Sequence, residues 1–399
     1  MEHGISRIGV VGGGLMGSGI AALAVYRGIA VTVREETPEL ADRAYHAIEK
    51  VFGDLLQKGK IDNLTYLQCM GLLEVTTDMR DLRGANLAVE AVSERLDIKE
   101  KIFAELDALL APNAIIASNT SSLPIAQLAA ATARPDRVLG MHFFNPPIRM
   151  DLVELVRGAE TSKITMSIAE AFCREQLQRQ TIRVTDRPGF IVNRLLIPYF
   201  NEAALAIELY DVDPHQIDAE AKAYGWPMGP FELLDFVGID TTLWIAEFLN
   251  ESCANRFFVP PLYRLLAEQG RMGARKTGTG FYTYPSRDSQ HLEALLAKRY
   301  PHRNERMDAK HVFDRMMCAL YVQAIEALEE EAASAADIEL GAKNGIAFPG
   351  IGPLHAIDAM GHGKLLWMLR DMERTYGPRF APPELLKRHS ACEAPFFSE

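Results

Sequence analysis

Apolar positions in the first part of the chain fall in short blocks, each bounded by glycine or by a charged stretch. Ile8 to Val11 is one such block, followed by Gly12-Gly13-Gly14-Leu15-Met16-Gly17 and a helical segment from Ile20 to Tyr26. A second block, Ile29 to Val33, follows Gly28 and ends at Arg34-Glu35-Glu36. Strand, glycine turn, helix and strand in that order predict a βαβ unit. Leu87 to Val92, Ala114 to Ala117 and Val138 to Met141 continue the series as short strands, with a charged helix over Asp97 to Leu110. This alternation predicts an α/β fold with a mainly parallel, doubly wound sheet.

Two stretches depart from that rhythm. Residues 41–73 are polar with a helical pattern and carry Lys58, Gly59 and Lys60, which reads as a helical hairpin inserted after the second strand or as ordinary crossover helices. Beyond Thr185-Asp186-Arg187-Pro188-Gly189 the strand signals stop, and Phe190 to Leu209 and Pro214 to Tyr224 read as amphipathic helices. The helical part also repeats itself. Asn193-Arg194 and Glu208 recur as Asp314-Arg315 and Glu329 at a constant offset of 121 residues. After a two-residue insertion, Gly229-Pro230, Asp235 and Gly238 recur as Gly352-Pro353, Asp358 and Gly361. Matches in constant order predict a duplicated helical domain. The expected boundaries are 1–187 for the Rossmann-type domain with its hairpin, 188–284 for the first helical domain, 285–307 for a linker and 308–399 for the second copy.

The composition narrows the partners. A net charge of -11 over 399 residues argues against a general nucleic-acid or anionic-membrane surface, while a local basic patch can still serve an anionic ligand. Five scattered cysteines without a Cys-x-x-Cys pair predict a reducing, cytoplasmic setting with neither a disulfide framework nor structural zinc. No uninterrupted apolar segment reaches the ~18 residues of a membrane span.

The glycine turn follows a strand, opens a helix and is trailed by an acidic residue at the end of the next strand, which is the context a dinucleotide site requires. Gly12 permits the tight turn, Gly14 lets the backbone approach a pyrophosphate, and Gly17 allows close helix packing, with Leu15 and Met16 between them. Glu35 is placed to accept hydrogen bonds from the ribose hydroxyls. A 2'-phosphate there would meet both Glu35 and Glu36, so NAD is predicted over NADP, with Arg34 the one dissenting residue. Downstream, His142 in Met141-His142-Phe143-Phe144-Asn145-Pro146 precedes Glu154 by twelve residues. Histidine suits proton transfer near neutrality, and a carboxylate can orient it. The alternatives are a core histidine, a surface carboxylate at Glu154, a helix cap at Ser121 and a satisfied core amide at Asn193.

Taken together, Gly12 to Gly17, Ser118-Asn119-Thr120-Ser121-Ser122, His142 to Pro146, Val153-Glu154, Pro188 to Leu196, Pro227 to Leu234 and Gly278-Thr279-Gly280-Phe281-Tyr282 resemble the L-3-hydroxyacyl-CoA dehydrogenase family over residues 5 to about 284. The second helical copy is similar to the tandem C-terminal arrangement of the multifunctional fatty-acid oxidation α-subunit, and no enoyl-CoA hydratase half is expected. The resemblance implies NAD-dependent, reversible oxidation of L-3-hydroxyacyl-CoA to 3-ketoacyl-CoA in β-oxidation or related lipid metabolism. It implies His142 as base, Glu154 as its partner, Ser121 on the reacting oxygen and Asn193 at the substrate's carbonyl end. Glu94, Lys99 and Asn145, together with Ser121, are expected along the nicotinamide and ribose, and Lys58 or Lys60 at the CoA phosphates, with Lys276 a weaker candidate. The family also includes a branch acting on a sugar acid of the gulonate type, and a non-catalytic NAD-binding structural protein is the other alternative. The second copy is expected to be structural, in a monomer or homodimer where it stands in for a partner subunit's domain.

Overall fold

The computed structural model describes residues 4–253, 256–301 and 303–397, so the outermost residues of the expected first and last domains, and part of the expected linker, lie outside the described residues. The chain divides into two compact units, with the boundary between Phe190 and Ile191.

The described residues of the first unit form eight strands: β1 (Arg7–Val11), β2 (Ala30–Arg34), β3 (Leu73–Thr76), β4 (Leu87–Glu90), β5 (Ile115–Ser118), β6 (Val138–Phe143), β7 (Leu152–Arg157) and β8 (Gln180–Thr185). They form one sheet in the order β3-β2-β1-β4-β5-β6-β7-β8. Its helices are α1 (Leu15–Tyr26), α2 (Pro38–Gln57), α3 (Asn63–Gly71), α4 (Leu96–Leu109), α5 (Ile125–Ala130) and α6 (Lys163–Ala171). Every residue of β4 and β5 is buried, as in central parallel strands covered on both faces, and each apolar run closes on a polar residue, Glu90 or Ser118. β3 and β8 escape the apolar-run criterion because they are half-exposed and mix Glu74, Gln180 and Arg183 with their apolar residues.

The hairpin is α2 and α3. Thr37 caps α2 by accepting from the Leu40 N–H, Pro38 opens it, and Ala44, Ile48 and Phe52 form its buried stripe at a spacing of four. The helix stops at Gly59, which has a φ of +63°. There the Gly59 and Lys60 N–H groups donate to the Leu56 and Leu55 carbonyls, each at 2.9 Å. That is the double bond of a Schellman cap, and it sets the turn that carries both lysines. Phe52 anchors the hairpin at 0% exposure; its truncation to alanine would cost about 3–5 kcal/mol.

One ladder departs from the expected parallel pattern: β6 and β7 are antiparallel. The connection between them is a short loop, which can join antiparallel neighbours but not parallel ones.

Among the described residues the second unit is mainly helical, with a short pairing between residues 210–211 and 304–306 and isolated antiparallel bridges within residues 273–288. Its first set comprises α7 (Val192–Leu209), α8 (Pro214–Tyr224), α9 (Pro230–Val237), α10 (Ile239–Ser252) and α11 (Pro261–Glu268). α12 (Gln290–Arg299) lies in the charged stretch expected to be a linker or a mixed helix and loop. The second set is α13 (Ala309–Glu329), α14 (Ala335–Gly345), α15 (Pro353–Met360), α16 (His362–Tyr376) and α17 (Glu384–Cys392).

The repeated residues perform repeated tasks. Asp218 on α8 accepts from the Phe231 N–H at 2.9 Å, and Glu339 on α14 accepts from the Leu354 N–H at 2.6 Å. Each carboxylate thus caps the following helix. A Cβ on Gly229 would lie 2.2 Å from the Asp218 carboxyl carbon, and one on Gly352 would lie 1.9 Å from a Glu339 oxygen. The two Gly-Pro pairs recur because the cap leaves no room for a side chain. In the same way Asp235 accepts from the Phe281 and Tyr282 N–H groups, and Asp358 from those of Phe396 and Phe397.

The long helices α7 and α13 are joined reciprocally. Arg194 donates to Gln323 at 3.0 Å, and Arg315 donates to Glu202 at 2.5 Å. Gln323 and Glu202 are themselves related by the 121-residue offset. Residue i of one copy therefore meets residue j of the other and the reverse, the pattern of a two-fold subunit interface contained in one chain.

Candidate active site

The carboxyl end of the sheet carries the nucleotide-binding features. Gly12 has a φ of +93°, a conformation that a side chain would strain. A Cβ on Gly17 would stand 1.7 Å from the Gly12 carbonyl oxygen, so only glycine lets α1 pack this closely on the turn. A Cβ on Gly14 would meet nothing within 4 Å, which leaves the approach to the turn open. No side chain caps α1 and no acidic residue lies in its first turn, so its N-terminal N–H groups fit a pyrophosphate. Leu15, at the mouth, is 72% exposed, and Met16 is half-buried. Glu35 is drawn back over the turn: the Gly13 N–H donates to one carboxylate oxygen at 2.5 Å and the Glu36 N–H to the other at 3.2 Å. That holds a carboxylate at the end of β2, where ribose hydroxyls would be received.

On the other side of β1 a buried charge cluster closes β4. Lys99, on α4 and 1% exposed, places its ammonium 2.6 Å from Glu90 and 2.9 Å from Glu94. Glu90 also accepts from the Ser118 hydroxyl at 2.6 Å and the Val92 N–H at 2.7 Å. Glu94 accepts from the Thr120 hydroxyl and from the Ser121 N–H, the latter at 3.0 Å. The Ser118–Ser122 turn is therefore fixed by two carboxylates. The turn-forming hydroxyl is that of Thr120, which accepts from the Ser122 and Leu123 N–H groups. α5 follows Pro124 with no side-chain cap, so Ser121 is not its cap.

His142 and Glu154 lie directly opposite each other in the β6–β7 ladder. Directly opposed antiparallel residues share a face and bring their side chains together. The His142 Nδ1 to Glu154 Oε2 distance is 2.6 Å, with Glu154 fully buried and the His142 side chain 9% exposed. A carboxylate only accepts, so Nδ1 carries the proton and Nε2 is the basic nitrogen. Phe144 and Phe190 flank the imidazole, at centroid distances of 4.6 and 5.8 Å. The strand end is pinned by the Phe143 N–H donating to Asn119 at 3.0 Å. Past the half-buried Asn145, the loop is clamped by Arg179, which donates to the Pro147 and Ile148 carbonyls, and by Gly19, where a Cβ would stand 2.6 Å from Pro147.

Lys58 and Lys60 are exposed at the tip of the hairpin. Lys276 is held by Asp240 at 2.7 Å. Asn193 is on α7 in the second unit and 8% exposed. Glu90 and Arg179 were not expected from the sequence. Glu90 had a readable signal, a carboxylate closing an otherwise apolar central strand, whereas Arg179 had none.

A doubly wound sheet with this turn and an uncapped helix N-terminus beside it is the architecture of a dinucleotide-binding domain. The chain belongs to the 3-hydroxyacyl-CoA dehydrogenase family. The family's NAD-binding domain matches residues 7–187, and its C-terminal domain matches twice, at 189–284 and 311–394. A 3-hydroxybutyryl-CoA dehydrogenase of Mycobacterium tuberculosis is 42% identical over 287 residues, covering 71% of this chain and 100% of that protein. A fatty acid oxidation complex subunit alpha of Shewanella baltica is 36% identical over 97% of this chain, which spans 56% of that relative's length. The crystal structure of 3-hydroxybutyryl-CoA dehydrogenase from Escherichia coli K12 matches with a TM-score of 0.87 at 27% identity, covering 98% of this chain and 99% of that one. The chain is accordingly an NAD-dependent oxidoreductase. Among the described residues, no helix is long and apolar enough to cross a membrane.

Proposed function

We propose that this chain oxidises an L-3-hydroxyacyl-CoA reversibly to the 3-ketoacyl-CoA, with His142 as the base and Glu154 as its orienting partner. The observation that carries this reading is the buried, directly opposed His142–Glu154 pair at 2.6 Å. His142 Nε2 takes the proton of the 3-hydroxyl, and Glu154 stabilises the imidazolium that forms. NAD, when bound, supplies the acceptor for the hydride that leaves C3. Ser121 donates to the reacting oxygen, and Asn193 holds the substrate's carbonyl end. Glu94 and Asn145 line the nicotinamide and its ribose, and Lys99, buried behind Glu94, acts through that carboxylate. The second helical copy, with Asp314 in place of Asn193, has a structural role.

Relatives named for 3-hydroxybutyryl-CoA make acetoacetyl-CoA with NADH the first assay. His142→Gln should lower kcat about 10²–10⁴-fold while NADH affinity, read by fluorescence, stays near wild type. Turnover near the wild-type rate would overturn the assignment.

Lys58 and Lys60 are proposed for the CoA phosphates because the hairpin cap presents both on one exposed turn of a net-acidic protein. Lys58→Ala with Lys60→Ala should raise KM for the CoA substrate several-fold, less so at high salt, and leave NADH affinity unchanged. A KM indifferent to both changes would remove them from the site.

A further inference from the structure

The glycine turn follows β1 and Glu35 closes β2, so the adenosine half of the dinucleotide belongs on the β2 side of the sheet. The strand order reverses at β1 and β4, and a dinucleotide crosses the sheet at that switch point. Its nicotinamide half is then directed over β4, β5 and β6, where Glu90 closes β4, Ser118 closes β5 and His142 lies on β6.

At that place two carboxylates share a single ammonium. Glu90 is 0% exposed, Lys99 1%, and the Glu94 side chain 22%, so the third member opens toward the cleft while the other two are sealed from water. Arg95, next to Glu94 in the chain, pairs with Asp97 at 2.6 Å and so adds no net charge to the cluster. A buried excess of one negative charge acts over several ångströms with little screening. Oxidised nicotinamide carries a positive ring charge and reduced nicotinamide does not. The cluster therefore interacts differently with the two forms.

We propose that the Glu90–Lys99–Glu94 cluster makes this protein hold the oxidised cofactor more tightly, relative to the reduced one, than it would without the excess charge, with Glu90 as a positioning residue that keeps Lys99 and Glu94 in place. The inference rests on the dinucleotide reading and extends it to cofactor redox state. Structural support alone predicts something else: loss of Glu90 would loosen the Ser118–Ser122 turn and weaken both forms alike.

The test compares dissociation constants for NAD and NADH on the full chain, by calorimetry and by NADH fluorescence. Glu90→Gln keeps the shape and one acceptor while removing the charge. It should weaken NAD about tenfold more than NADH. Glu94→Gln, at the more exposed member, should shift the ratio in the same direction and decides the matter if the Glu90 variant does not fold. Equal weakening of both forms, or a shift toward NAD, would overturn the proposal. Failure of the wild-type chain to bind either form would instead overturn the dinucleotide reading itself.

Discussion

The two helical copies in the second unit share one set of residues and differ in another. Shared are the carboxylates that cap the next helix (Asp218 and Glu339), the glycines those caps require (Gly229 and Gly352), and the aspartates that receive two N–H groups from an aromatic pair (Asp235 and Asp358). The central arginines, Arg194 and Arg315, are shared as well. What differs is Asn193, whose counterpart is Asp314 in an ion pair with Lys310. Residues common to both copies are those the helical fold needs. A residue kept in the first copy alone is a candidate for chemistry, and this distinction is available within one chain.

The sharpest way to break the comparison is at the differing position. Asn193→Ala should lower kcat/KM about tenfold, the usual cost of losing one hydrogen bond to the substrate's carbonyl end, whereas Asp314→Ala should leave it within about twofold. Comparable losses in both variants, measured by steady-state kinetics, would erase the distinction between the copies.

The shared caps should behave alike. Asp218→Ala and Glu339→Ala each orphan a buried N–H and should each cost about 1–3 kcal/mol in urea unfolding, with a lowered midpoint. A neutral result in one copy would show that its cap is ornamental.

The smallest expected effect is on pH dependence. Burial pushes Asp218 and Glu208 up to about 7 and Asp235 up to about 6, against their hydrogen bonds. It raises Glu339 as well. A carboxyl raised on folding binds its proton more tightly in the native state, so its contribution is fully present below the unfolded value near 4 and lost as pH rises through the folded one. Stability of the helical unit should therefore increase from pH 8 toward pH 5, with each group adding at most about 1.4 kcal/mol per pH unit. Asp218→Asn should flatten that slope in a Tm-versus-pH series, and an unchanged slope would count against this linkage.

The sequence was most legible where one residue's job is local. The glycine turn, the strands on either side of it, the helices Pro214–Tyr224 and Val192–Leu209, and the duplication follow from spacing alone. Long-range pairing was less legible. Nothing in the pattern places β7 antiparallel to β6, yet that ladder is what turns a twelve-residue separation into a 2.6 Å contact. The residue Glu90 stands out as a carboxylate ending an apolar run, but its partners were hidden for a related reason: Lys99, Ser118 and Val92 come from a helix, the neighbouring strand and the segment just past its own strand, and only the folded sheet brings them to one carboxyl.

The opposed placement of His142 and Glu154 also separates two kinds of change. Their alignment is set by the β6–β7 register, in which Gly140 to Phe143 face Val156 to Val153, and not by the loop that joins the strands. A slip of one residue would move every side chain of a strand to the other face, so the buried ladder resists it. Insertions in residues 149–150, past Asn145 and the stretch clamped by Arg179, can therefore reshape the surroundings of the site while the proton-transfer pair keeps its geometry. That loop is a place where selectivity can drift, or be engineered, independently of the chemistry.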